Sequence, residues 1–280
     1  MVRAPNSPPG KHTMSSPFLT LAQPAGGDFP TFLVGVVLAA LLVGGRWYVD
    51  RRRDRRKSEA LQQLVRRDPR LRPTVMPCGL SPDELAGAFA ATPRGDRRSG
   101  VRYGIDGPLQ VQIAGQEHQL DCGAFQWWYE ERIRTTGNNV SRTRHEEHRT
   151  MVTLVRLPTT GPTRIRIGPE SLLGKVGVTR GGEQLESAEF NRRFRVEGGD
   201  RTLTVQLLDA DLQHLLLEGF RGRTVELRGD FLVLGGDPSH RDASLIGAVG
   251  ALPAIRQDMQ RLVAGVPTQF WRAIGADRGV

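Results

Sequence analysis

Two histidines flank two glutamates in the run His145-Glu146-Glu147-His148, and these side chain types can hold a catalytic zinc ion. A zinc site on a helix places its histidines four positions apart, with the glutamate that acts as general base between them. Here the histidines are three positions apart, and in a strand that spacing turns their rings to opposite faces. We therefore expect no metal site in this run.

A second run with possible chemistry is GPESLLGKV, residues 168–176, which has the look of a phosphate-binding loop. Such a loop has four residues between its glycines, and a serine or threonine that binds magnesium follows its lysine. Five residues separate Gly168 from Gly174, and Val176 follows Lys175. The run is interpreted as a strand end followed by a turn.

No local motif of serine, histidine and aspartate, of cysteine and histidine, or of paired carboxylates is present. The remaining histidines, His12, His118, His214 and His240, are isolated in the sequence. The sequence therefore assigns no catalytic, cofactor-binding or metal-binding residue and predicts no cofactor. Residues distant in sequence could still assemble a site in the fold.

The segment that must position the rest of the chain is the apolar run at residues 29–49. It carries no charge between Phe29 and Gly45, and its 21 residues would form a helix of about 31 Å, the thickness of a bilayer core. Nine valine, leucine and phenylalanine side chains favour insertion by roughly 3 to 5 kcal/mol in total. We expect a single transmembrane helix here.

The charges that flank this helix predict its orientation. Only Arg3 and Lys11 precede it, whereas a basic flank follows it, consisting of Arg46, Arg51, Arg52, Arg53, Arg55, Arg56 and Lys57. Cations stay on the cytoplasmic side, so the N-terminus is expected outside and the C-terminal domain in the cytoplasm. A cleaved signal peptide would need its positive charge before the apolar run. The predicted location is the cell membrane, with the lipid bilayer as a partner.

The segments on either side of the helix differ in composition. Residues 1–28 are rich in proline, serine and glycine and are expected to form a disordered extracytoplasmic tail. Residues 50–72 predict a basic stalk, helical until Pro69 and Pro73 stop it. Its basic face could contact anionic headgroups, or it could serve only as a stop-transfer flank.

The net charge of +9 is concentrated beside the membrane. Residues 46–67 hold nine cations against three carboxylates, a net +6, so the remaining chain carries only +3. This distribution predicts no nucleic-acid partner. Cys78 and Cys122 fit a reducing compartment and are too few for a disulfide scaffold or a zinc site.

Residues 73–280 predict one cytoplasmic α+β domain with a mainly antiparallel sheet and a C-terminal helix. Hairpin signals recur at Gly137, Gly198 and Gly229, and crossover helices between strands are missing. Ser81 begins a capping box that predicts a short helix to about Ala91. Alternating apolar residues from Leu109 then indicate strands.

A long hairpin is predicted from residues 125–136 and 140–157, with a polar tip between them. Phe125, Trp127 and Tyr129 share one strand face, and Trp128 lies on the other. Core packing is the preferred interpretation, and a stacking platform for nucleic-acid bases is the alternative. Residues 130–149, which hold five arginines and four glutamates, do not favour that alternative.

Residues 185–217 predict a strand through Phe190, Phe194 and Val196, a turn, and a return strand whose inner face carries Leu203, Val205 and Leu207. A helix capped by Asp209 follows. The box ESAEFNRRFRV at residues 186–196, with the strand and helix after it, resembles an uncharacterised family of bacterial membrane proteins, domain of unknown function 3137. The resemblance implies a membrane-linked cytoplasmic α+β domain and no particular activity.

Residues 244–274 are helical by spacing, and Pro253 and Pro267 are expected to kink or divide the helix. Its apolar stripe needs a cover, for which the domain's sheet is preferred over a partner helix or the headgroup region, to which Arg256, Arg261 and Arg272 could add attraction. The stripe consists of Leu252, Ile255, Met259, Leu262 and Val266.

Two functions from different classes remain open. The preferred one is a non-enzymatic interaction module that presents a cytoplasmic face to a protein partner at the membrane. The alternative is a membrane-tethered hydrolase whose site gathers residues distant in sequence. A deep pocket joining His118, His148 or His214 to carboxylates would favour the hydrolase.

Overall fold

The computed structural model describes residues 45, 48, 52, 55–56, 58–137, 140–159, 163–170, 185, 187–236 and 245–276. By its contacts the chain divides into two units, Met1–Asp50 and Arg51–Val280. No helix in the described part of the chain is long and apolar enough to cross a membrane. The predicted tail, most of the predicted span, and Arg46, Arg51, Arg53 and Lys57 lie outside that part.

Eight strands form one fully antiparallel sheet, which confirms the predicted α+β class. The spatial order is β1-β2-β3-β4-β8-β7-β5-β6. The strands are β1 Arg72–Pro73, β2 Ser99–Ile113, β3 Gln116–Gly137, β4 Val140–Arg156, β5 Arg164–Pro169, β6 Phe194–Gly198, β7 Thr224–Arg228 and β8 Phe231–Gly235. The predicted hairpins at Gly137 and Gly229 are therefore confirmed, and Gly229 adopts the positive φ of +59° that its tight turn requires.

Seven α-helical segments and one 3-10 helix, Pro77–Gly79, accompany the sheet in the described residues. The α-helical segments are α1 at residues 58–67, α2 Pro82–Leu85, α3 Ala188–Arg193, α4 Arg201–Leu207, α5 Ala210–Gly219, α6 Leu245–Gly265 and α7 Thr268–Ala273. Helix α1 ends before Asp68 and Pro69, as predicted for the stalk, and Arg52, Arg55 and Arg56 before it are helical and exposed.

Helix α6 lies on β2, β3 and β4 and covers their apolar face. Leu252, Ile255 and Met259 are all at most 3% exposed, so the preferred hypothesis, a stripe covered by the domain's own sheet, is confirmed. The helix continues through Pro253 and ends before Pro267, which separates it from α7. Four side chains of α1, those of Ala60, Leu61, Leu64 and Val65, pack against the same core cluster.

Three local predictions were wrong. Residues 188–193 and 201–207 are helical where strands were expected, because Ser187 and Asp200 cap them by accepting hydrogen bonds from the Phe190 and Leu203 amides. Within α4, Val205 is 52% exposed, which a strand face shared with Leu207 would not allow. The predicted capping box of Ser81 and Glu84 is present. However, α2 ends at Leu85 rather than near Ala91, because the backbone adopts an extended conformation at Ala86.

Candidate functional site

The hairpin of β3 and β4 is longer than the strands on either side of it. The register of β2 on β3 stops at the pair Ser99 and Tyr129, and β8 pairs with β4 only between Val152 and Arg156. From the pair Glu130 and Glu147 to the pair Gly137 and Val140, the two strands pair with no other strand, although the Glu130 backbone also hydrogen-bonds to Asp96 and Arg98 in the loop before β2. These eight pairs, which we call the ribbon, span about 24 Å at 3.4 Å per residue.

The base of the ribbon is held by aromatic side chains and by the loop before β2. Phe125 and Trp127 are fully buried, which confirms core packing for these two, and Trp127 Nε1 donates to the Pro93 carbonyl at 3.0 Å. Tyr129 stacks on His148, its cross-strand partner, with ring centroids 5.0 Å apart. The Arg132 amide donates to the Asp96 carboxylate at 2.7 Å. The ribbon therefore leaves the sheet at Arg132 from a fixed base.

Four glutamates form an acidic belt at the first two pairs of the ribbon. Glu130 lies opposite Glu147 on one face, and Glu131 lies opposite Glu146 on the other. Like charges in directly opposed positions destabilise a hairpin. The belt therefore needs cations from neighbouring positions.

Cations on both sides of the belt supply this compensation. Arg102 donates two hydrogen bonds to Glu147, at 2.7 and 3.0 Å, and Arg149 donates a third. Burial alone would raise the pKa of Glu147, but the hydrogen bonds from Arg102 and Arg149 lower it below its usual value. Arg144 pairs with Glu146 at 3.3 Å. His148 Nε2 lies 3.2 Å from the Glu131 carboxylate, without hydrogen-bond alignment.

Beyond the belt, the ribbon carries only positive charge. Residues 132–145 contain four arginines and no carboxylate. Arg132 and Arg134 share one face, while the register places Arg144 on the other, opposite Ile133. Arg132, Arg134 and Arg144 are exposed. Within the described residues, the side chains of Arg132 and Arg134 have no carboxylate partner. We call residues 132–135 and 142–145 the basic tip.

The residues singled out for metal or phosphate chemistry do not form a site in the described part of the chain. His145 and His148 lie on β4 three positions apart, as predicted, and no group of histidine, cysteine and carboxylate side chains there could hold a metal ion. Gly168 is at the end of β5, and residues 171–184 lie outside the described residues.

The three histidines that would favour a hydrolase are far apart. His118 and Tyr129, the partner of His148, are separated by 11 positions of β3, about 36 Å of strand. His118 lines an open groove with Glu117 and with Gln110, Gln112, Gln119 and Gln260, and His148 lines a second open groove with Glu146 and Glu147. His214 is exposed on α5 beside Glu218.

Sequence reasoning missed the separation of charge along the ribbon and the burial of Arg256. Counting five arginines against four glutamates treated residues 130–149 as one segment, although the order of the letters already places the glutamates outside the central arginines. Arg256 was expected to face the headgroups if the C-terminal helix lay at the membrane. Instead it is 8% exposed and donates to the carbonyls of Cys122 and Pro108 at 2.7 and 2.9 Å.

No protein-family model, no curated protein and no solved structure matches the chain. The resemblance of residues 186–196 to domain of unknown function 3137 stays a prediction. The ribbon, with its acidic belt and basic tip, is thus the feature on which a function can rest.

Proposed function

We propose that this chain is a non-enzymatic interaction module, anchored in a bacterial cell membrane by one helix at residues 29–49. Its domain lies in the cytoplasm, and the ribbon is the surface that contacts a partner. The observation that carries this proposal is the basic tip, where exposed arginines project beyond both neighbouring strands. The apolar run and the basic flank of the sequence support the anchor and its orientation.

The basic tip contributes little to the core. None of its described residues belongs to the buried clusters that hold the sheet and helices together. An isolated two-stranded ribbon is marginally stable in water, so its length is a cost that the domain could avoid with a tight turn. A projecting, charged element on a rigid base is typical of a recognition surface.

The geometry supports an interaction module better than a hydrolase. Glu131 lies 3.2 Å from His148 Nε2 without hydrogen-bond alignment. Glu147, which precedes His148 in the strand, accepts hydrogen bonds from two arginines, and its lowered pKa makes it a poor general acid. Burial raises the pKa of the Cys122 thiol to about 12, and burial also raises that of Cys78. Neither cysteine therefore supplies a thiolate nucleophile at neutral pH.

The anchor can be tested by labelling introduced cysteines in intact cells. Cys78 and Cys122 are poor reporters because their raised pKa values slow labelling on either side of the membrane. In a chain carrying Cys78→Ser and Cys122→Ala, Val75→Cys places a thiol at a position that is 61% exposed. A membrane-impermeant maleimide should label it only after permeabilisation.

Ser16→Cys, in the predicted outer tail, is the matched control and should react in intact cells. Reaction of Val75→Cys in intact cells would reverse the proposed orientation. Release of the chain into the soluble fraction by carbonate washing would remove the anchor from the proposal.

The ribbon can be tested with a photo-crosslinking amino acid at Thr135 in living cells. Thr135 is exposed beside Arg134, and Thr202, exposed on α4, is a matched position elsewhere on the domain. The proposal expects discrete adducts from Thr135 and few from Thr202. Equal yields from both positions, or no adduct from Thr135, would contradict a role for the ribbon.

A further inference from the structure

We propose that the basic tip binds duplex DNA by inserting into its major groove. This inference rests on the proposed function, because it names the partner of the same ribbon. It departs from the expectation of no nucleic-acid partner, which came from the net charge of whole segments. The register instead separates the glutamates of the belt from the arginines of the tip.

The chemistry of the tip fits phosphate. A guanidinium presents a planar fork of donors that matches the oxygens of a phosphate and keeps its charge at any physiological pH. Arg132 and Arg134 are exposed without a carboxylate partner within the described residues, so binding phosphate would break no existing ion pair of theirs. Arg144 would exchange its contact with Glu146.

The arrangement of these cations favours a duplex groove over a flat membrane surface. Arg132 and Arg134 are on one face, and Arg144 is on the other. The major groove of B-DNA admits a two-stranded β-ribbon and has a phosphate backbone along each wall. An interfacial membrane anchor would instead use large apolar side chains, and Ile133 is the one such residue among the described positions of the tip.

Other nucleic acids fit less well. Single-strand binding uses exposed aromatic side chains on which bases stack, and the described residues of the tip include no phenylalanine, tyrosine or tryptophan. The major groove of A-form RNA is too narrow for side chains to read.

The acidic belt limits how far the ribbon can enter. From Arg134 to Gly137 the strand spans about 10 Å, close to the roughly 8.5 Å depth of the major groove, so Arg134 would lie at the phosphate rim and Arg132, two positions further out, would reach that rim with its long side chain. The glutamates of the belt can therefore stay outside the groove, where their repulsion from phosphate opposes deeper insertion. The belt and the tip together define one depth of contact.

The experiment measures binding of the full chain, in neutral-lipid nanodiscs, to a fluorescent 30-base-pair DNA duplex. Fluorescence anisotropy at several salt concentrations compares the unchanged chain with Arg132→Gln/Arg134→Gln. Because each lost phosphate contact lowers the salt slope by about 0.9, the double variant should lose about two in slope and bind about tenfold more weakly at 0.15 M salt. Arg132→Lys/Arg134→Lys keeps the charge and should retain the slope.

The matched control is Arg201→Gln/Arg272→Gln, which removes the same charge from two exposed positions outside the ribbon. The DNA proposal is overturned if Arg132→Gln/Arg134→Gln and Arg201→Gln/Arg272→Gln bind DNA equally well. It is also overturned if the chain binds vesicles that contain anionic lipid and the substitutions in the tip weaken only that binding. Crosslinks from Thr135 to a protein, with unchanged DNA binding, would overturn this inference and leave the interaction module standing. Absence of every adduct would overturn both.

Discussion

At the scale of single residues, Arg256 makes the most unusual contacts in the described domain. Its buried guanidinium joins α6 to two adjacent strands by donating to backbone carbonyls of β2 and β3. Burying a cation costs free energy unless its hydrogen-bond donors find acceptors. Here the acceptors are backbone carbonyls in the part of the sheet that α6 covers. The residue therefore fixes where the helix sits along the sheet.

Arg256→Met should lower the free energy of unfolding by about 3 kcal/mol. The methionine can replace the apolar stem, but the carbonyls of Gly107, Pro108 and Cys122 lose their donor in a largely buried site. Urea unfolding of the detergent-solubilised chain, followed by tryptophan fluorescence, measures the change. Arg261→Met, on the exposed side of the same helix, should cost less than about 1 kcal/mol. Equal costs would show that the carbonyl contacts are not what stabilises the helix.

The charge of Glu147 should make the ribbon's base sensitive to acid. A carboxyl group whose pKa is lowered in the folded state stabilises that state above the unfolded pKa, and the stabilisation disappears as the pH falls through the folded pKa. Thermal unfolding should therefore show Glu147→Gln less stable than the unchanged chain at pH 7, with the difference closing below about pH 4.5. Glu117→Gln, at an exposed position of β3, is the control. A difference that did not shrink as the pH fell below about 4.5 would contradict the ion-pair explanation.

The helical spacing of the sequence indicated that Arg256 is buried, but its charge suggested an exposed position. Leu252, Ile255, Arg256 and Met259 follow the spacing of one helical face, and all four are buried. Periodicity alone would have placed Arg256 in the core. Its partners could not have been predicted, because they are backbone carbonyls nearly 150 residues earlier in the chain.

At the scale of elements, the strength of a local signal decided which predictions were correct. The β3–β4 and β7–β8 hairpins were predicted because turn residues and alternation agree there. Helix α4 was missed because Leu203 and Leu207 satisfy both a period of two and a spacing of four. The hydrogen bond from the Leu203 amide to Asp200 resolves that ambiguity in favour of the helix.

The outer part of the ribbon should be dispensable for folding. Replacing residues 134–143 with Asn-Gly joins Ile133 to Arg144, which lie directly opposite each other, through a favoured two-residue turn. We expect the free energy of unfolding to change by less than about 1 kcal/mol, because the described residues removed make no core contact. Trp127→Ala, at the buried base, should cost about 3 to 5 kcal/mol in the same assay. A collapse of the shortened chain would assign the ribbon a structural role.

At the scale of the whole molecule, α1 belongs to the fold as well as to the predicted stalk. It packs on the core cluster that includes Tyr103, Ile105 and Leu252. The sequence indicated a helix here but not its cover, because its apolar residues are few and cations surround them. The strand order from β4 through β8, β7 and β5 to β6 could not be predicted from the sequence either, since local patterns do not encode pairing between distant strands.

A chain beginning at Ser58 should fold well, whereas one beginning at Arg72 should be less stable or aggregate. The shorter chain uncovers the part of the core cluster on which Leu61 and Leu64 pack. Within the longer chain, Leu61→Ala/Leu64→Ala should lower the free energy of unfolding by about 2 to 4 kcal/mol. Gln62→Ala/Gln63→Ala, on the exposed side of the helix, should leave it nearly unchanged. Equal stability of the two truncated chains would show that α1 does not stabilise the domain.

The position of α6 also has a consequence for how the protein is made. Strands β2, β3 and β4 are consecutive in sequence and can pair as soon as they leave the ribosome, but the helix that covers them is synthesised about 90 residues later. At 5 to 20 residues per second, Tyr103, Ile105 and Met151 stay uncovered for on the order of ten seconds. A nascent chain at this stage exposes the apolar face of its sheet, which is prone to aggregate. The dependence of folding on chaperones should therefore be greatest before α6 emerges.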